Sequence, residues 1–275
     1  GHVYNTLLIA NDILNHQISF LVDKESEMAF SAIQAKNYPV LMQKSENIID
    51  DIKKIAPNII INDRLDTNEA YIKELKNQDF KVINFEDLGK GCEYADSVIN
   101  AIYPEKNALP NHYFGQEYFI LRDEFILSEE KIVTSEVKNI LITFGGVDPN
   151  NYTEKIIRTI NQYCNEKNIA ITIIAGFGYA SYDSIKGYKN VIIKRNISNI
   201  SDYMLQADLI FTSAGRTVYE VASIGTPAVV LAQNEREMTH FFASAEYGFS
   251  NLGLGFNVSD ENIMNEFVRL VNSFE

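Results

Sequence analysis

Two short segments that contain glycine each follow an apolar run that predicts a buried strand. They span residues 144–151 and 212–220. Small residues at the carboxyl end of a strand let backbone N–H groups approach an anion, and a helix that starts there adds its positive amino end. This pattern favours binding of a diphosphate, although a plain strand-to-helix turn also uses glycine. The candidate nucleotide-binding residues of these segments are Gly145, Gly146, Asp148, Ser213, Ala214, Gly215, Arg216, Thr217 and Glu220.

The second segment also carries side chains that suit a nucleotide. Arg216 offers a cation at the predicted start of the helix, and Ser213 and Thr217 offer hydroxyl groups. Glu220 lies one helical turn beyond Arg216, which allows an ion pair within the helix worth only about 0.2–0.5 kcal/mol. The alternative is that the Glu220 carboxylate accepts hydrogen bonds from the ribose hydroxyls, and this is the interpretation that we favour.

Polar residues at the ends of three further apolar runs are candidates for sugar binding. They are Asp63, Arg64, Glu86, Asp87, Asn234, Glu235 and His240. Carboxylate and amide groups accept hydrogen bonds from sugar hydroxyls, but acidic residues at strand ends also cap turns. His240 is predicted on the helix that follows residues 228–232, where a histidine can equally be structural.

His2 is the candidate catalytic residue. It lies close to the place where the glycine-rich first turn of a doubly wound domain is expected. Imidazole changes its charge near neutral pH, so it can take a proton from an attacking water molecule.

The elements that must position these residues alternate between short apolar runs and amphipathic segments. Strands are predicted over residues 18–22, 58–61, 80–85, 97–102, 138–144, 169–175, 191–194, 208–212 and 228–232. Helices are predicted over residues 45–55, 67–77 and 260–272, with Thr67 as an N-cap. Alternating strands and helices imply parallel sheets that are covered on both faces.

The predicted fold class is therefore α/β, with two doubly wound, Rossmann-like domains. Residues 103–136 break the rhythm and are taken as the end of the first domain and the connection to the second. We expect an N-terminal domain over residues 1–125 on the sugar and catalytic side, and a nucleotide-sugar-binding domain over residues 126–275. Ligands of such sheets bind beyond the carboxyl ends of the strands, where the candidate residues lie.

The chain opens with a helical pattern in which Val3, Leu7, Ala10 and Leu14 share one face. A doubly wound domain normally begins with a strand and a glycine-rich turn. We therefore expect the natural polypeptide to extend upstream, so that the first strand of the N-terminal domain is absent from this sequence.

Composition excludes several classes of function. The formal net charge of −13 argues against nucleic-acid binding, which needs clustered Lys and Arg. Cys92 and Cys164 have no ligand-like spacing and are expected to be reduced thiols, and the four histidines are too scattered to predict a metal site. No apolar run approaches the roughly 18 residues of a membrane span, and we expect no signal peptide. We expect a cytoplasmic protein that needs no cofactor or metal.

Three groups of residues together resemble a known enzyme family. They are Gly1 and His2 before an apolar helix, the loop from Gly145 to Asp148, and the segment from Ser213 to Glu220. These residues resemble the UDP-2,4-diacetamido-2,4,6-trideoxy-β-L-altropyranose hydrolases of pseudaminic acid biosynthesis. Residues 114–125 are similar to the interdomain segment of that family. The resemblance covers nearly the whole chain and implies the GT-B architecture, which is shared with glycosyltransferases.

The resemblance implies roles for individual residues. His2 matches the catalytic histidine, Asn234 a pocket asparagine near the sugar, and Glu220 the ribose-binding acid. The backbone around Ile197 is implied to meet the uracil, and the glycine-containing segments match the diphosphate contacts. An arginine that the family usually has three residues after the histidine is replaced by Asn5. The resemblance also extends to fusion proteins whose amino half is a cytidylyltransferase, which is therefore an expected partner.

The resulting hypothesis is that water attacks the anomeric carbon of a UDP-sugar and that UDP leaves. Two alternatives stay open. One is a glycosyltransferase that uses a UDP-N-acetylhexosamine and an acceptor other than water. The other is a non-catalytic nucleotide-sugar-binding module that is attached to a cytidylyltransferase.

Overall fold

Parallel sheets organise the residues that this computed structural model describes, which are 2–105, 109–195 and 197–273. Gly1, which carries part of the resemblance, lies outside these residues. The chain divides into two compact units, Gly1–Ile120 and Leu121–Glu275. The sheets confirm the predicted α/β fold class with parallel strands.

The first unit alternates strands and helices along the chain. Its helices are α1 (His2–Asp12), α2 (Glu27–Gln34), α3 (Ile48–Ile55) and α4 (Glu69–Asn77). Its strands are β1 (Phe20–Val22), β2 (Val40–Met42), β3 (Ile59–Asp63), β4 (Lys81–Phe85), β5 (Ser97–Asn100) and β6 (His112–Phe114). Among the described residues, β1 and β2 form a two-stranded sheet, and β3 to β6 form a four-stranded sheet in chain order.

Local signals explain where the helices of the first unit start and stop. The side chain of Asn47 accepts a hydrogen bond from the N–H of Ile49, which caps α3. Helix α3 ends at Ala56 in a left-handed conformation, directly before Pro57. The prediction that Thr67 caps α4 is wrong: Asn68 is the cap, and its side chain accepts from the N–H of Tyr71.

The second unit contains one continuous sheet. Its strands are β7 (Asn139–Ile142), β8 (Ala170–Ala175), β9 (Val191–Arg195), β10 (Leu209–Thr212), β11 (Ala228–Ala232) and β12 (Ser250–Leu254). Its helices are α5 (Asp123–Ile126), α6 (Tyr152–Lys167), α7 (Ile200–Gln206), α8 (Thr217–Ile224) and α9 (Asp260–Ser273). Within the described residues the strand order is β12-β11-β10-β7-β8-β9.

This strand order places a topological switch point between β7 and β10. The chain runs outward from β7 through β8 to β9, and it then returns to place β10 on the other side of β7. Crevices at such points, beyond the carboxyl ends of the strands, are where doubly wound sheets bind ligands. Every residue of β10 and β11 is buried, so the strands that lead into the loops at the switch point are held by packing on both faces of the sheet.

Several elements differ from the sequence-based expectation. Strand β6 lies inside residues 103–136, which had been taken as the end of a domain, and it pairs with β5. Strands β2 and β12 were not predicted. Leu14 lies beyond the end of α1 and is exposed, whereas Asn5 joins Leu7 and Ala10 on the buried face. A buried asparagine on an apolar face needs a hydrogen-bond partner, and Asn5 has one in β3.

Other expected properties concern cysteines, metals and membranes. Cys92 and Cys164 are free thiols, and burial raises the pKa of Cys164 to about 12. Within residues 2–105, 109–195 and 197–273, no cluster of His, Cys, Asp and Glu could hold a metal ion. None of the helices in those ranges has the length and apolar character that crossing a membrane requires.

Candidate functional site

In the first unit, α1 and the end of β3 bring three polar side chains together. Nδ1 of His2 lies 2.5 Å from Oδ1 of Asp63, and Nδ2 of Asn5 donates to Oδ2 of Asp63 at 2.6 Å. The Asp63 side chain is only 1% exposed, whereas that of His2 is 45% exposed. A buried carboxylate therefore holds an imidazole that solvent can reach.

The contact with Asp63 also fixes which ring nitrogen of His2 can act on a ligand. A carboxylate oxygen accepts hydrogen bonds, so Nδ1 carries the proton and donates it to Asp63. The lone pair of a neutral imidazole then lies on Nε2, which can accept a proton from water. Asp63, a predicted sugar ligand, is placed by this geometry behind the candidate base.

Arg64 follows Asp63 directly and lies on a pocket of the first unit. Its guanidinium is 5.3 Å from the centre of the Tyr71 ring, and the Tyr71 hydroxyl donates to Oδ1 of Asn62. The pocket has a volume of about 430 Å³, and Gln43, Asn47 and Asn68 also line it. Arg64 is exposed and remains a candidate for ligand binding.

Glu86 and Asp87 are buried, and their carboxylates accept hydrogen bonds from backbone N–H groups and, at Asp87, also from two side chains. Asp87 accepts from the N–H and the hydroxyl of Thr67 at 2.8 and 2.5 Å, from Nδ2 of Asn84 at 2.6 Å and from the N–H of Gly89 at 2.9 Å. Glu86 accepts from the N–H groups of Ala101 and Ile102 at 3.3 and 3.4 Å. Asp87 therefore caps the turns at Thr67 and Gly89, which is the alternative given above for acidic residues at strand ends. Both side chains are buried from solvent.

In the second unit, the two predicted nucleotide segments follow adjacent strands. Strands β7 and β10 pair in parallel, and so do β10 and β11, so the loops after them lie at one edge of the sheet. Hydrogen bonds join the first loop to the third: Asn150 donates to the backbone oxygen of Gln233 at 2.7 Å, and Gln233 donates to Asp148 at 2.8 Å. The structure thus brings the three loops together at the switch point.

Asp148 has a structural task within this cluster. Its buried carboxylate accepts from the N–H groups of Tyr152 and Thr153 at 2.9 and 2.8 Å, which satisfies the first turn of α6. Together with the bond from Gln233, this occupies both oxygens of Asp148. The side chain that was predicted to contact a nucleotide therefore shapes the loop.

The glycines of the first loop leave its outer face open. A Cβ atom added at Gly145 or Gly146 would meet nothing within 4 Å, and Gly145 has a positive φ of 77°. On the inner side, a Cβ at Gly176 would lie 2.4 Å from the backbone oxygens of both glycines. The loop is thus packed against residue 176 on one side and accessible to a ligand on the other.

Around Ser213, Ala214 and Gly215, two side chains from the segment after β11 hold the backbone. Glu237 accepts from the N–H of Gln233 at 2.8 Å and from the N–H of Ala214. Nδ1 of His240 lies 2.6 Å from the oxygen of Ala214. Burial raises the pKa of Glu237, because a carboxylate is poorly solvated there. A carboxyl group therefore already occupies amides at the edge where a diphosphate was predicted.

The segment after β11 is not a regular helix. The predicted helix at His240 is wrong, since that residue ends a 3₁₀ turn over Glu237–Thr239. Burial lowers the pKa of His240, which favours its neutral form. Asn234 is exposed and its side-chain oxygen accepts from the N–H of Glu237 at 3.0 Å, while Glu235 is exposed beside it.

Glu220 lies on α8, and its ion pair is with Arg122. Nε and an Nη of Arg122 lie 3.0 and 2.9 Å from Oε1 of Glu220. Burial raises the pKa of Glu220, and the charge of Arg122 acts against this rise. Thr217 and Arg216 stand at the start of α8 and are partly exposed. Ile197 lies beyond β9, the outermost strand on that side of the sheet, away from these loops in strand order.

Sequence reasoning missed two residues of these clusters, Asn5 and Arg122, whereas the run from Gln233 to Glu237 is predicted at the ligand crevice without a specific contact. Asn5 was noted only for replacing the family's arginine, although an amide on an apolar helix face already signals a buried partner. Gln233 and Glu237 lie in the polar run after β11, and Arg122 lies in the interdomain segment. Asp63, the partner of Asn5, and Glu220, the partner of Arg122, lie 58 and 98 residues away, so spacing along the chain does not reveal these two contacts.

Solved structures identify the fold. Over 99% of this chain and 87% of the other, MurG of Acinetobacter baumannii superposes with a TM-score of 0.66 at 17% identity. The UDP-GlcNAc 2-epimerase of Neisseria meningitidis, solved bound to UDP-GlcNAc, covers 98% and 88% with a TM-score of 0.62 at 13% identity. The chain therefore has a GT-B-like fold of two Rossmann-like domains. No protein-family model matches the chain.

Two relatives are similar to this chain over most of its length. An uncharacterized protein of Methanocaldococcus jannaschii is 32% identical over 257 residues, which are 86% of this chain and 53% of that protein. The spore coat polysaccharide biosynthesis protein SpsG of Bacillus subtilis is 26% identical over 100% of this chain and 86% of its own. The chain is thus related to SpsG and spans about half the length of the archaeal relative.

A third relative is more distant. The pseudaminic acid cytidylyltransferase and UDP-2,4-diacetamido-2,4,6-trideoxy-beta-L-altropyranose hydrolase of Helicobacter pylori is 23% identical over 200 residues. The match covers 69% of this chain and 37% of that protein, whose name combines two activities.

Proposed function

We propose that this protein hydrolyses a UDP-linked amino or deoxy sugar at the anomeric C–O bond and releases UDP. The observation that carries the proposal is the pair of His2 and Asp63, in which a buried carboxylate orients an accessible imidazole. The named activity of the Helicobacter relative supports the reaction, and that of SpsG supports a role in surface polysaccharide biosynthesis. The sugar is proposed to be a precursor of a pseudaminic-type acid.

The proposed reaction balances without a cofactor. Nε2 of His2 takes one proton from a water molecule while the water oxygen forms a bond to the anomeric carbon. The bond between that carbon and the β-phosphate oxygen breaks, and its electron pair leaves with UDP. The proton then passes to solvent, and the configuration at the carbon inverts. General-base catalysis of this kind contributes about 10²- to 10⁴-fold to the rate.

The second unit is proposed to bind the UDP moiety. Support comes from the loops around Gly146 and Gly215 at the switch point, and from solved neighbours that bind UDP-sugars. Backbone amides that are fixed before the reaction stabilise the charge that develops on the leaving diphosphate, and one such donor is worth about 2.7–4 kcal/mol. Glu220 is proposed to accept from the ribose hydroxyls, and Asn234 and Arg64 are proposed to contact the sugar.

The experiment that tests this proposal follows the anomeric proton by NMR with a panel of UDP-, GDP- and CMP-sugars and no added acceptor. We expect free reducing sugar and UDP from a UDP-sugar only. In ¹⁸O-labelled water, the released UDP should contain no label, because the C–O bond breaks rather than a P–O bond. Turnover of GDP-sugars alone, or label in the UDP, would contradict the proposal.

A glycosyltransferase is the second candidate, and the fold shared with a solved rhamnosyltransferase supports it. The same imidazole could then take a proton from the hydroxyl group of an acceptor. Release of free sugar in the absence of any acceptor distinguishes hydrolysis from transfer. Turnover that is lost in His2→Ala would also exclude the third possibility, a non-catalytic binding module beside a cytidylyltransferase.

A further inference from the structure

Arg122 stands two residues into the second unit and contacts the acid that is proposed to bind ribose. Its Nε donates to Oε1 of Glu220 at 3.0 Å, and a terminal nitrogen lies 2.9 Å from the same oxygen. Both contacts come from one planar guanidinium, whose fork fixes direction as well as charge.

Burial makes this contact important for Glu220. The carboxyl group is largely removed from water, which raises its pKa and favours the neutral acid. A neutral acid presents one donor, whereas a carboxylate accepts at both oxygens and can take hydrogen bonds from two neighbouring hydroxyl groups. The charge of the guanidinium favours the carboxylate form of Glu220, and its Nε and a terminal nitrogen both lie on Oε1. A contact on Oε1 fixes the plane of the carboxylate, which sets the direction in which Oε2 can accept from a diol.

Arg122 is itself held from two further sides. A terminal nitrogen lies 2.5 Å from Oε1 of Glu124, and the guanidinium carbon is 4.8 Å from the centre of the Phe125 ring. The other oxygen of Glu124 accepts from the N–H of Ser201, in the first turn of α7. The arginine is thus held by residues 124 and 125 at the start of the second unit. Because its own position is fixed, its contact with Glu220 fixes the orientation of that side chain on α8.

We infer that Arg122 is a positioning residue that keeps Glu220 charged and oriented to read the 2′-hydroxyl of the ribose. The inference rests on the proposed function, because it takes the ribose role of Glu220 from there. It goes further in assigning nucleotide specificity to a residue outside the loops at the strand ends. Arg122 needs no contact with the ligand to do so.

The test measures binding of UDP and of 2′-deoxy-UDP to the 275-residue chain by isothermal titration calorimetry. A hydrogen bond to a charged group is worth about 10- to 100-fold in affinity, so the unaltered chain should prefer UDP by that factor. In Glu220→Gln and in Arg122→Gln this preference should fall to less than about threefold. The double variant should show no further loss, because both residues act on one hydroxyl group.

Two further variants separate orientation from general stability. Arg122→Lys keeps a charge but has no planar fork, so it should restore part of the preference. Arg269→Gln removes another arginine that is paired with a glutamate, on α9, and should leave the preference unchanged. A merely structural Arg122 would weaken both ligands equally and keep their ratio, which would overturn the inference.

The outcomes also distinguish this inference from the proposed function. If the chain prefers UDP to 2′-deoxy-UDP and Arg122→Gln removes that preference, but the chain hydrolyses no UDP-sugar, the proposed reaction fails and the inference stands. If it hydrolyses a UDP-sugar and Arg122→Gln keeps the full preference, the inference fails and the reaction stands. A chain that does not distinguish the two nucleotides contradicts the inference directly.

Discussion

The His2 cluster of the first unit and the glycine-containing loops of the second unit hold their candidate groups by opposite means. In the first, one side chain holds another: Asp63 holds His2, and Asn5 holds Asp63. In the second, side chains hold backbone: Asp148 satisfies the start of α6, and Glu237 binds the N–H of Ala214. The His2 cluster therefore depends on single side chains, whereas the predicted diphosphate contacts of the second unit depend on whether a ligand can approach the backbone.

The two units also differ in how completely their strands are buried. The second unit has a continuous sheet in which every residue of β10 and β11 is buried, with Leu231 and Phe211 at 0% exposure. In the first unit, β1 and β2 form a separate pair, and Leu41 is 45% exposed. A rigid sheet suits a site made of fixed amides, since preorganised donors need no rearrangement when charge develops. An acid–base pair needs only one well-held side chain.

The largest effect is expected at His2. His2→Gln should lower the rate of UDP-sugar hydrolysis by about 10²- to 10⁴-fold, because the proton acceptor is lost. Binding of UDP, which is assigned to the second unit, should not change. Initial rates by NMR and titration calorimetry with UDP measure the two properties.

The exposed His16 provides the matched control, and His16→Gln should retain full activity. Asp63→Asn in the His2→Gln background should cause little additional loss, because residues that act as one unit are not additive. Additive losses would show that Asp63 acts on the substrate by itself, as the sequence first suggested.

The contrast between the two sites also explains what the sequence could and could not predict. Strands such as residues 228–232 were predictable because an apolar run is a local signal. The sequence also predicted that the candidate loops lie beyond the carboxyl ends of the strands, because the strands are parallel. Strand β2 was missed because its three residues are too short a run to carry such a signal. The partners of Asp63 and Glu220 are 61 and 98 residues away, so only tertiary packing decides them.

A matched pair of core substitutions should separate the two kinds of packing. Leu231→Ala in β11 should lower the free energy of unfolding by about 2–5 kcal/mol, because it leaves a cavity in a fully buried strand. Leu41→Ala in β2 should cost far less, because that side chain already contacts water. Hydrogen exchange resolved by peptide assigns each loss to its unit. Equal losses would contradict the difference in packing.

Gly146→Ala should affect the ligand without affecting the fold. An added Cβ meets nothing within 4 Å in this structure, so the melting temperature should stay within error. If a diphosphate approaches this backbone closely, UDP affinity should fall about 10- to 100-fold, the value of a charge-assisted hydrogen bond. Unchanged affinity would mean that the loop does not contact the nucleotide.

Gly176→Ala is the comparison variant, because here an added Cβ should disturb the fold as well as ligand binding. Its Cβ would lie 2.4 Å from two backbone oxygens of the glycine loop, so the loop must move and both stability and affinity should fall. The pair therefore distinguishes a glycine that a ligand requires from a glycine that the fold requires.

The smallest expected effect is a pH dependence of binding that comes from Glu237. Its carboxyl group occupies the N–H groups of Ala214 and Gln233, and burial already raises its pKa above the ordinary value of 4.5. A diphosphate at the same edge would raise that pKa further, because two negative groups repel each other. The complex then binds more protons than the free protein does, so affinity rises as pH falls, by at most about tenfold per pH unit.

This dependence should extend over the range between the pKa of Glu237 in the free protein and its higher value in the complex. A UDP-sugar is the suitable ligand, because its diphosphate is esterified at both ends and has no terminal phosphate to titrate. In Glu237→Gln the side chain keeps an oxygen acceptor but cannot titrate, so the slope should vanish while binding persists. A slope that survives in this variant would assign the proton to another group. An affinity that rises with pH would show that charged Glu237 helps to bind the ligand, so that the glycine-containing loops, like the His2 cluster, use a side chain directly.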